Sequence, residues 1–322
     1  MRRLLLQCVS GCDRRGGFTR VELAAVVVII AVLMVFVLPA IQARRVSSRR
    51  VVCENNLYQL AFAAQRHVDH HGFLPGWRNA GPAASGFSSW PIVLLPFLER
   101  NDIYKMIVQG NPAPAVFVFS FSCPASPPAG LAPAALAYAG NCGSGSNLRR
   151  ADGVMLDTRL ASGDASGRLT LADIAAKDGT SNTLLFSEKC GPGTAAVPIV
   201  QATWNDAIPL QAGESIPGFS DGGRMYGVFG ITGTPAATQR IINSGSAAAP
   251  GFFSQPSSNH PGGAMVARCD GKTAFLSQNI SAGAYCQLLS WDDDTCQAER
   301  NLYATHSTWA PGYSTVKDSD YR

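Results

Sequence analysis

The sequence predicts an α+β protein with a long N-terminal helix whose outer half packs on a mostly antiparallel, loop-rich β-sheet. Three observations carry this. An uncharged apolar run from Leu23 to Ile41 follows a short basic leader. Helical periodicity follows directly after it. The remainder breaks into short apolar segments among 32 glycines and 20 prolines, a turn-dense composition that disfavours a helical bundle.

The chain has 322 residues, 46% of them hydrophobic, enough to bury a core in one large domain or a domain plus subdomain. Its formal charge of +4 is placed unevenly, because the first seventeen residues hold four arginines and one aspartate. Without them 22 basic and 21 acidic side chains remain. So balanced a body offers no general attraction for nucleic acid, and no polynucleotide partner is expected.

The N-terminus begins with Arg2-Arg3 and continues Arg14-Arg15-Gly16-Gly17-Phe18-Thr19-Arg20-Val21-Glu22 before the apolar run. The 19 uncharged positions Leu23–Ile41 suffice, as a helix, to cross a hydrocarbon core of ~30 Å. Lipid is thus the first expected partner. Basic residues ahead of the span predict a cytoplasmic leader and a single-pass inner-membrane protein with a periplasmic or cell-surface body. No small-x-small cleavage site follows the run, which disfavours an ordinary signal peptide. Cys8 precedes the run, which disfavours a lipoprotein.

The order of basic leader, glycine, Phe-Thr-Arg-Val-Glu and apolar helix resembles the type IV prepilin class. That resemblance implies a prepilin peptidase cutting after Gly17 and methylation of Phe18. It implies that Glu22 neutralises the Phe18 amine of a neighbouring subunit, since a carboxylate at the edge of an apolar helix is costly unless paired. It also implies a pilin-like fold with a helix kink at Pro39, where one helical hydrogen bond is lost. The domain plan is a leader over 1–17, a long helix over 18–71 and an extracytoplasmic body over 72–322. The membrane span occupies about 23–41.

Past the membrane, Arg44-Arg45, Arg49-Arg50 and Gln59 alternate with Val46, Val51, Val52, Leu57, Leu60 and Phe62, which continues an amphipathic helix. Gly72, Pro75 and Gly76 stop it. Trp90–Tyr104 predicts an apolar helical element, and residues 110–150 read as a long surface excursion. Asp178-Gly179-Thr180-Ser181-Asn182 is a turn leading into a strand over Thr183–Glu188. The clearest hairpin is Ala264–Cys269, Asp270-Gly271, Lys272–Ser277, with Asp-Gly as a two-residue turn.

Separated motifs then match one family. They are Cys53-Glu54-Asn55-Asn56-Leu57-Tyr58-Gln59-Leu60, Gly72-Phe73-Leu74-Pro75, Leu95-Pro96-Phe97-Leu98-Glu99, Phe121-Ser122-Cys123-Pro124 and Tyr138-Ala139-Gly140-Asn141. Further on come Asp178 to Thr183, with Asp178, Gly179 and Asn182, and a His-x9-Asp-Gly pattern from His260 to Asp270-Gly271. The chain resembles the bacterial domain of unknown function 1559 family, which carries a prepilin-type segment and this C-terminal motif. The likeness runs from Gly17 to about Ile280. It departs at Arg66-His67, where the family often has Asn-Tyr, and the tail after Ile280 is unmatched.

Seven cysteines remain after the predicted cut: Cys53, Cys123, Cys142, Cys190, Cys269, Cys286 and Cys296. An extracytoplasmic body keeps disulfides, so pairing is the first reading. Cys286 with Cys296 closes a short loop, and Cys53 with Cys123 would staple the helix to the body. No Cys-x-x-Cys spacing exists, so no structural zinc is expected. His67, His70 and His71 share one side of the helix end, but the spacing lacks a zincin glutamate, and a solvated terminus is the simpler reading. His260 is expected to tie its loop to the hairpin, with Asp270 serving the turn. A catalytic His260–Asp270 pair using Ser187 or Ser257 lacks a nucleophile elbow, so no enzyme activity is expected. Asp292-Asp293-Asp294, with Asp206 and Asp221, offers oxygen ligands for calcium without an EF-hand pattern, and a solvated acidic turn is the default. No cofactor is otherwise expected.

These features point to a pseudopilin or type IV pilin-like structural subunit, or an envelope protein, of a pilus or type II secretion system. Its partners would be prepilin peptidase, other pilin-like subunits or the secretion machinery. The alternative is a membrane-tethered glycan- or solute-binding module, with Trp77, Trp90, Trp204, Trp291 and Trp309 as stacking platforms.

Overall fold

The computed structural model describes residues 19–81, 87–111, 114–126, 134–144, 153–156, 158, 167–189, 204, 228–231, 242–243 and 255–292. The chain divides into two units, Met1–Ser47 and Ser48–Arg322.

In the first unit the helix α1 (Arg20–His71) begins. A reciprocal capping box starts it. The Thr19 N–H donates to Glu22 Oε2 at 2.9 Å, and the Glu22 N–H donates to Thr19 Oγ1 at 3.2 Å. Arg20–Leu38 is long and apolar enough to cross a membrane, and none of it is buried. Pro39 lies inside α1. The predicted cleavage pair Gly17-Phe18 lies outside the described residues.

In the second unit the rest of α1 buries Cys53, Leu57, Leu60, Ala61 and Ala64, while Asn55, Tyr58, Phe62 and Arg66 stay exposed. The stripe runs at helical spacing, and of the residues expected on its apolar face Leu57 and Leu60 are buried while Val46, Val51 and Phe62 are exposed. Each fully buried leucine contributes about 1.5–3 kcal/mol. Gly72 ends the helix with φ +84°, donating its N–H to the Val68 carbonyl at 2.7 Å. A left-handed glycine cap is the usual way to satisfy an orphan carbonyl at a helix end.

Strands β1 (Arg78–Ala80) and β2 (Phe87–Ser89) pair antiparallel. The predicted element Trp90–Tyr104 is divided. Helix α2 (Trp90–Leu94) tightens into a 3-10 turn at Leu95–Leu98, breaks at Glu99 with φ 61°, and resumes as α3 (Asn101–Val108).

The main sheet has five strands in the order β5-β3-β4-β6-β7. They are β3 (Tyr138–Ser144), β4 (Leu184–Glu188), β5 (Val228–Ile231), β6 (Gly263–Arg268) and β7 (Thr273–Ser277). Every pairing is antiparallel except β3 with β5, so the sheet is mostly antiparallel as expected. Residues alternate between two cores. Met265 and Ala267 share one with Leu57 and Leu60 of α1, while Ala264 and Val266 share the other with Tyr285 and Leu288 of α5 (Ala282–Leu289). Covered on both faces, β4 is buried throughout, which explains its consecutive apolar residues Leu184-Leu185-Phe186.

Two expectations are corrected. Residues 110–150 are not simply a surface excursion, because Val118, Phe121, Cys123 and Ala134–Cys142 include core residues and the interior strand β3. Small residues serve packing there: a Cβ on Gly140 would collide with Met155 Sδ. The β6–β7 connection is also longer than an Asp-Gly two-residue turn. The Gly271 N–H donates to Arg268 O at 2.9 Å, and the Arg268 N–H donates to Lys272 O at 2.9 Å. These bonds enclose Cys269-Asp270-Gly271, with Gly271 at φ +84°, a three-residue loop with glycine in the left-handed position.

Candidate functional site

Four side chains from distant parts of the sequence meet inside the second unit. Cys53 comes from α1, and Cys123 follows the 3-10 turn Phe119–Phe121. Glu188 ends β4, and His260 lies in the loop before β6. All four are buried, and one ligand-type atom from each falls within 4.8 Å of every other. The two sulfurs are 2.6 Å apart. His260 Nε2 stands 3.2 Å from Glu188 Oε1, and Cys123 Sγ lies 3.5 Å from that oxygen and 3.8 Å from that nitrogen.

The surroundings orient the centre. The Met265 N–H of β6 donates to Glu188 Oε2 at 2.8 Å, which leaves Oε1 turned to the sulfurs and imidazole. Asn56, one turn along α1 from Cys53, donates through Nδ2 to the Ser122 carbonyl at 2.8 Å and to Tyr138 Oη at 3.2 Å. The Tyr138 hydroxyl in turn hydrogen-bonds Cys53. Burial pushes the Glu188 carboxyl upward in pKa, against the opposing pull of His260. Burial works to lower His260, but its hydrogen bonds to Cys123 and Glu188 prevail and push it up to about 9. Burial and the Cys123 contact raise the Cys53 thiol far above its ordinary value, with the Cys123 hydrogen bond foremost.

Chemically this set can close a disulfide, hold a buried His260–Glu188 ion pair, or offer two sulfurs, a nitrogen and an oxygen to a metal ion. The fold therefore brings together the long-range cysteine pair put forward from sequence. His260 does not reach the hairpin directly. Its ring meets Glu188, and Glu188 makes the link to β6. Glu188 was missed by the sequence reading, although an acid ending a strand that opens Leu184-Leu185-Phe186 is a signal in itself.

The family-motif residues Asp178, Gly179, Asn182, Asp270 and Gly271 occupy a second cluster at the hairpin tip. Asp270 accepts from the Lys272 N–H at 3.0 Å and donates its own N–H to Thr180 O at 3.0 Å. Gly179 has φ +89°, and Asn182 Nδ2 donates to Asp178 O at 3.0 Å. The Cys269 N–H donates to Thr183 O, and Gln65 of α1 donates to Cys269 O. Both turns thus dock on each other and on the helix. Asn55, unlike Asn56, is exposed.

Cys286 is buried in α5, while Cys296, Cys190, Asp206, Asp221, Asp293, Asp294 and Trp309 lie outside the described residues. Asp292, proposed as a calcium ligand, is buried and pairs with Lys177 Nζ at 3.2 Å. Trp77, Trp90 and Trp204 are core residues, so burial removes them as stacking platforms. His67 and His71 stack with ring centres 4.2 Å apart beside Phe97, in a cleft of about 340 Å³ that also includes His70 and Arg168. Among the described residues, the metal-type grouping is the Cys–Cys–Glu–His set and excludes these histidines.

An apolar N-terminal helix leading into an α+β body, with a buried Cys–Cys–Glu–His centre, defines the class of protein. The chain belongs to the family of proteins of unknown function DUF1559, whose model matches residues 42–283, a span that takes in the whole centre and the hairpin. No curated protein and no solved structure matches it.

Proposed function

We propose that this protein is a pilin-like, pseudopilin-class subunit of the bacterial envelope. The observation that carries the reading is the exposed apolar surface of Arg20–Leu38 with Glu22 at its start. Such a surface needs lipid or other apolar helices around it. Prepilin peptidase cuts after Gly17, the new Phe18 amine is methylated, and the single-pass helix holds the body on the periplasmic or cell-surface side. In the isolated chain Glu22 Oε2 serves the capping box, and Oε1 is then available to a neighbour's Phe18 amine. The helices bundle, and the body takes no catalytic part.

The test is a Glu22→Ala variant in the native envelope, followed by in situ cross-linking. Loss of multimers with cleavage retained supports assembly through Glu22. Undiminished multimers overturn it.

The His67–Phe97–Arg168 cleft favours a second reading, a membrane-tethered solute-binding module. A lone tether needs no carboxylate at position 22, so the same variant separates the two.

A further inference from the structure

We propose that, with its thiols reduced, the centre formed by Cys53, Cys123, Glu188 and His260 binds one divalent ion of the zinc class. The proposal is independent of how the helix assembles.

A disulfide between Cys53 and Cys123 would need neither a carboxylate nor an imidazole beside it. Apolar packing would serve such a bond as well, and burying an acid is costly. Here Glu188 and His260, both buried, point Oε1 and Nε2 at one sulfur. Two sulfurs, a nitrogen and an oxygen are the donors that zinc takes in four-coordinate sites. With the usual bond lengths, the edges of such a tetrahedron measure about 3.3–3.8 Å. The Glu188–His260, Cys123–Glu188 and Cys123–His260 separations of 3.2, 3.5 and 3.8 Å already lie on or near that range. A fourth edge, between the sulfurs, is 2.6 Å and opens by about 1 Å around an ion, and the two edges from Cys53 to Glu188 and His260 lie within 4.8 Å.

The outer contacts are those a metal site uses. The Met265 N–H fixes one carboxylate oxygen and leaves the other to coordinate. The Tyr138 hydroxyl, itself positioned by Asn56, hydrogen-bonds the Cys53 sulfur and supports its thiolate. On binding, each thiol gives up its proton as its sulfur–metal bond forms, the His260 imidazolium gives up its Nε2 proton as the nitrogen–metal bond forms, all three protons pass to solvent, and no electron is transferred. Two thiolates, a carboxylate and a neutral imidazole leave the site one negative charge beyond the ion, shared with the Tyr138 hydrogen bond.

The experiment uses the full chain in detergent, reduced with a phosphine, stripped of metal and titrated with Co²⁺. One equivalent should bind with the intense thiolate-to-cobalt and tetrahedral d–d absorption of a two-sulfur site, and Zn²⁺ should abolish the signal. Cys53→Ser and His260→Ala should remove it. Tyr138→Phe, which keeps the ring, should weaken uptake about 10–100-fold. The proposal is overturned if the reduced, folded wild-type chain takes up no Co²⁺, or if the spectrum is weak and octahedral. Uptake that survives Cys53→Ser overturns it too. Reduction that unfolds the body with no refolding on adding ion also counts against it.

Discussion

His260 Nε2 lies 3.2 Å from Glu188 Oε1, and both side chains are almost wholly removed from water. The contact joins the loop before β6 to the end of β4, and through Glu188 Oε2 it reaches the Met265 backbone. Removing either partner leaves the other buried without its counterpart. Glu188→Gln or His260→Ala is expected to destabilise the body by about 3–5 kcal/mol in denaturant melts. Because the two act as a unit, the double variant should cost clearly less than the sum of the singles. Additive losses would show that the pair is not coupled.

The neighbouring asparagines of the helix motif should behave differently. Asn56 serves the Ser122 carbonyl and Tyr138 from a buried position, so Asn56→Ala is expected to cost about 1–3 kcal/mol. Asn55 is exposed, and Asn55→Ala should stay within about 0.5 kcal/mol of the parent. Chemical denaturation of the two variants side by side checks this.

At the hairpin tip, Gly271 has φ +84° and its missing Cβ would lie 2.7 Å from Gln65 Nε2. Gly271→Ala combines a left-handed backbone with that approach, and a loss of about 1–2 kcal/mol is expected. Ala at the exposed, negative-φ position Lys272 is the control and should melt close to the parent.

His67 gives the body an acid-side weakness. Burial chiefly, and then the neighbouring His71 imidazole, lower its pKa to about 4 from the ordinary 6.5. The unfolded chain therefore takes up this proton first. Stability is retained above about 6.5 and falls as the pH drops from there through about 4. His70, His71 and Arg168 line the same cleft and add no compensating acid. Melts at pH 7.5 and pH 5 should show the loss, and His67→Gln should flatten it; an unchanged slope would contradict the assignment.

The local elements were legible because local rules govern them. The amphipathic stripe through Leu57 and Leu60, the glycine stop at Gly72 and the strand ending at Glu188 follow from periodicity and turn chemistry. The hairpin was found, but its loop length was not, since Asp270-Gly271 fits both a two-residue turn and a bulged three-residue one. Strand β3 was hidden by its composition. Its Gly140 and Asn141 look like loop residues, yet Gly140 is small to admit Met155, and Asn141 donates to the Leu184 and Leu289 carbonyls at 2.7 and 2.8 Å.

The buried centre was not legible as a unit. Cys53, Cys123, Glu188 and His260 are separated by long stretches of chain. The packing of α1 and of the Phe119–Phe121 turn into one core with β4 and β6 brings them together. Metal-site patterns read along a sequence depend on close ligand spacing, which this centre lacks. The Thr19–Glu22 capping box, by contrast, is written in the sequence as Thr-x-x-Glu, a purely local pattern.

Intact and N-terminal mass spectrometry of the protein from native membranes tests the account of its N-terminus most directly. The account predicts a chain beginning at methylated Phe18. A chain still carrying Met1 and the leader would contradict it, and the tethered solute-binding module would then become the leading reading.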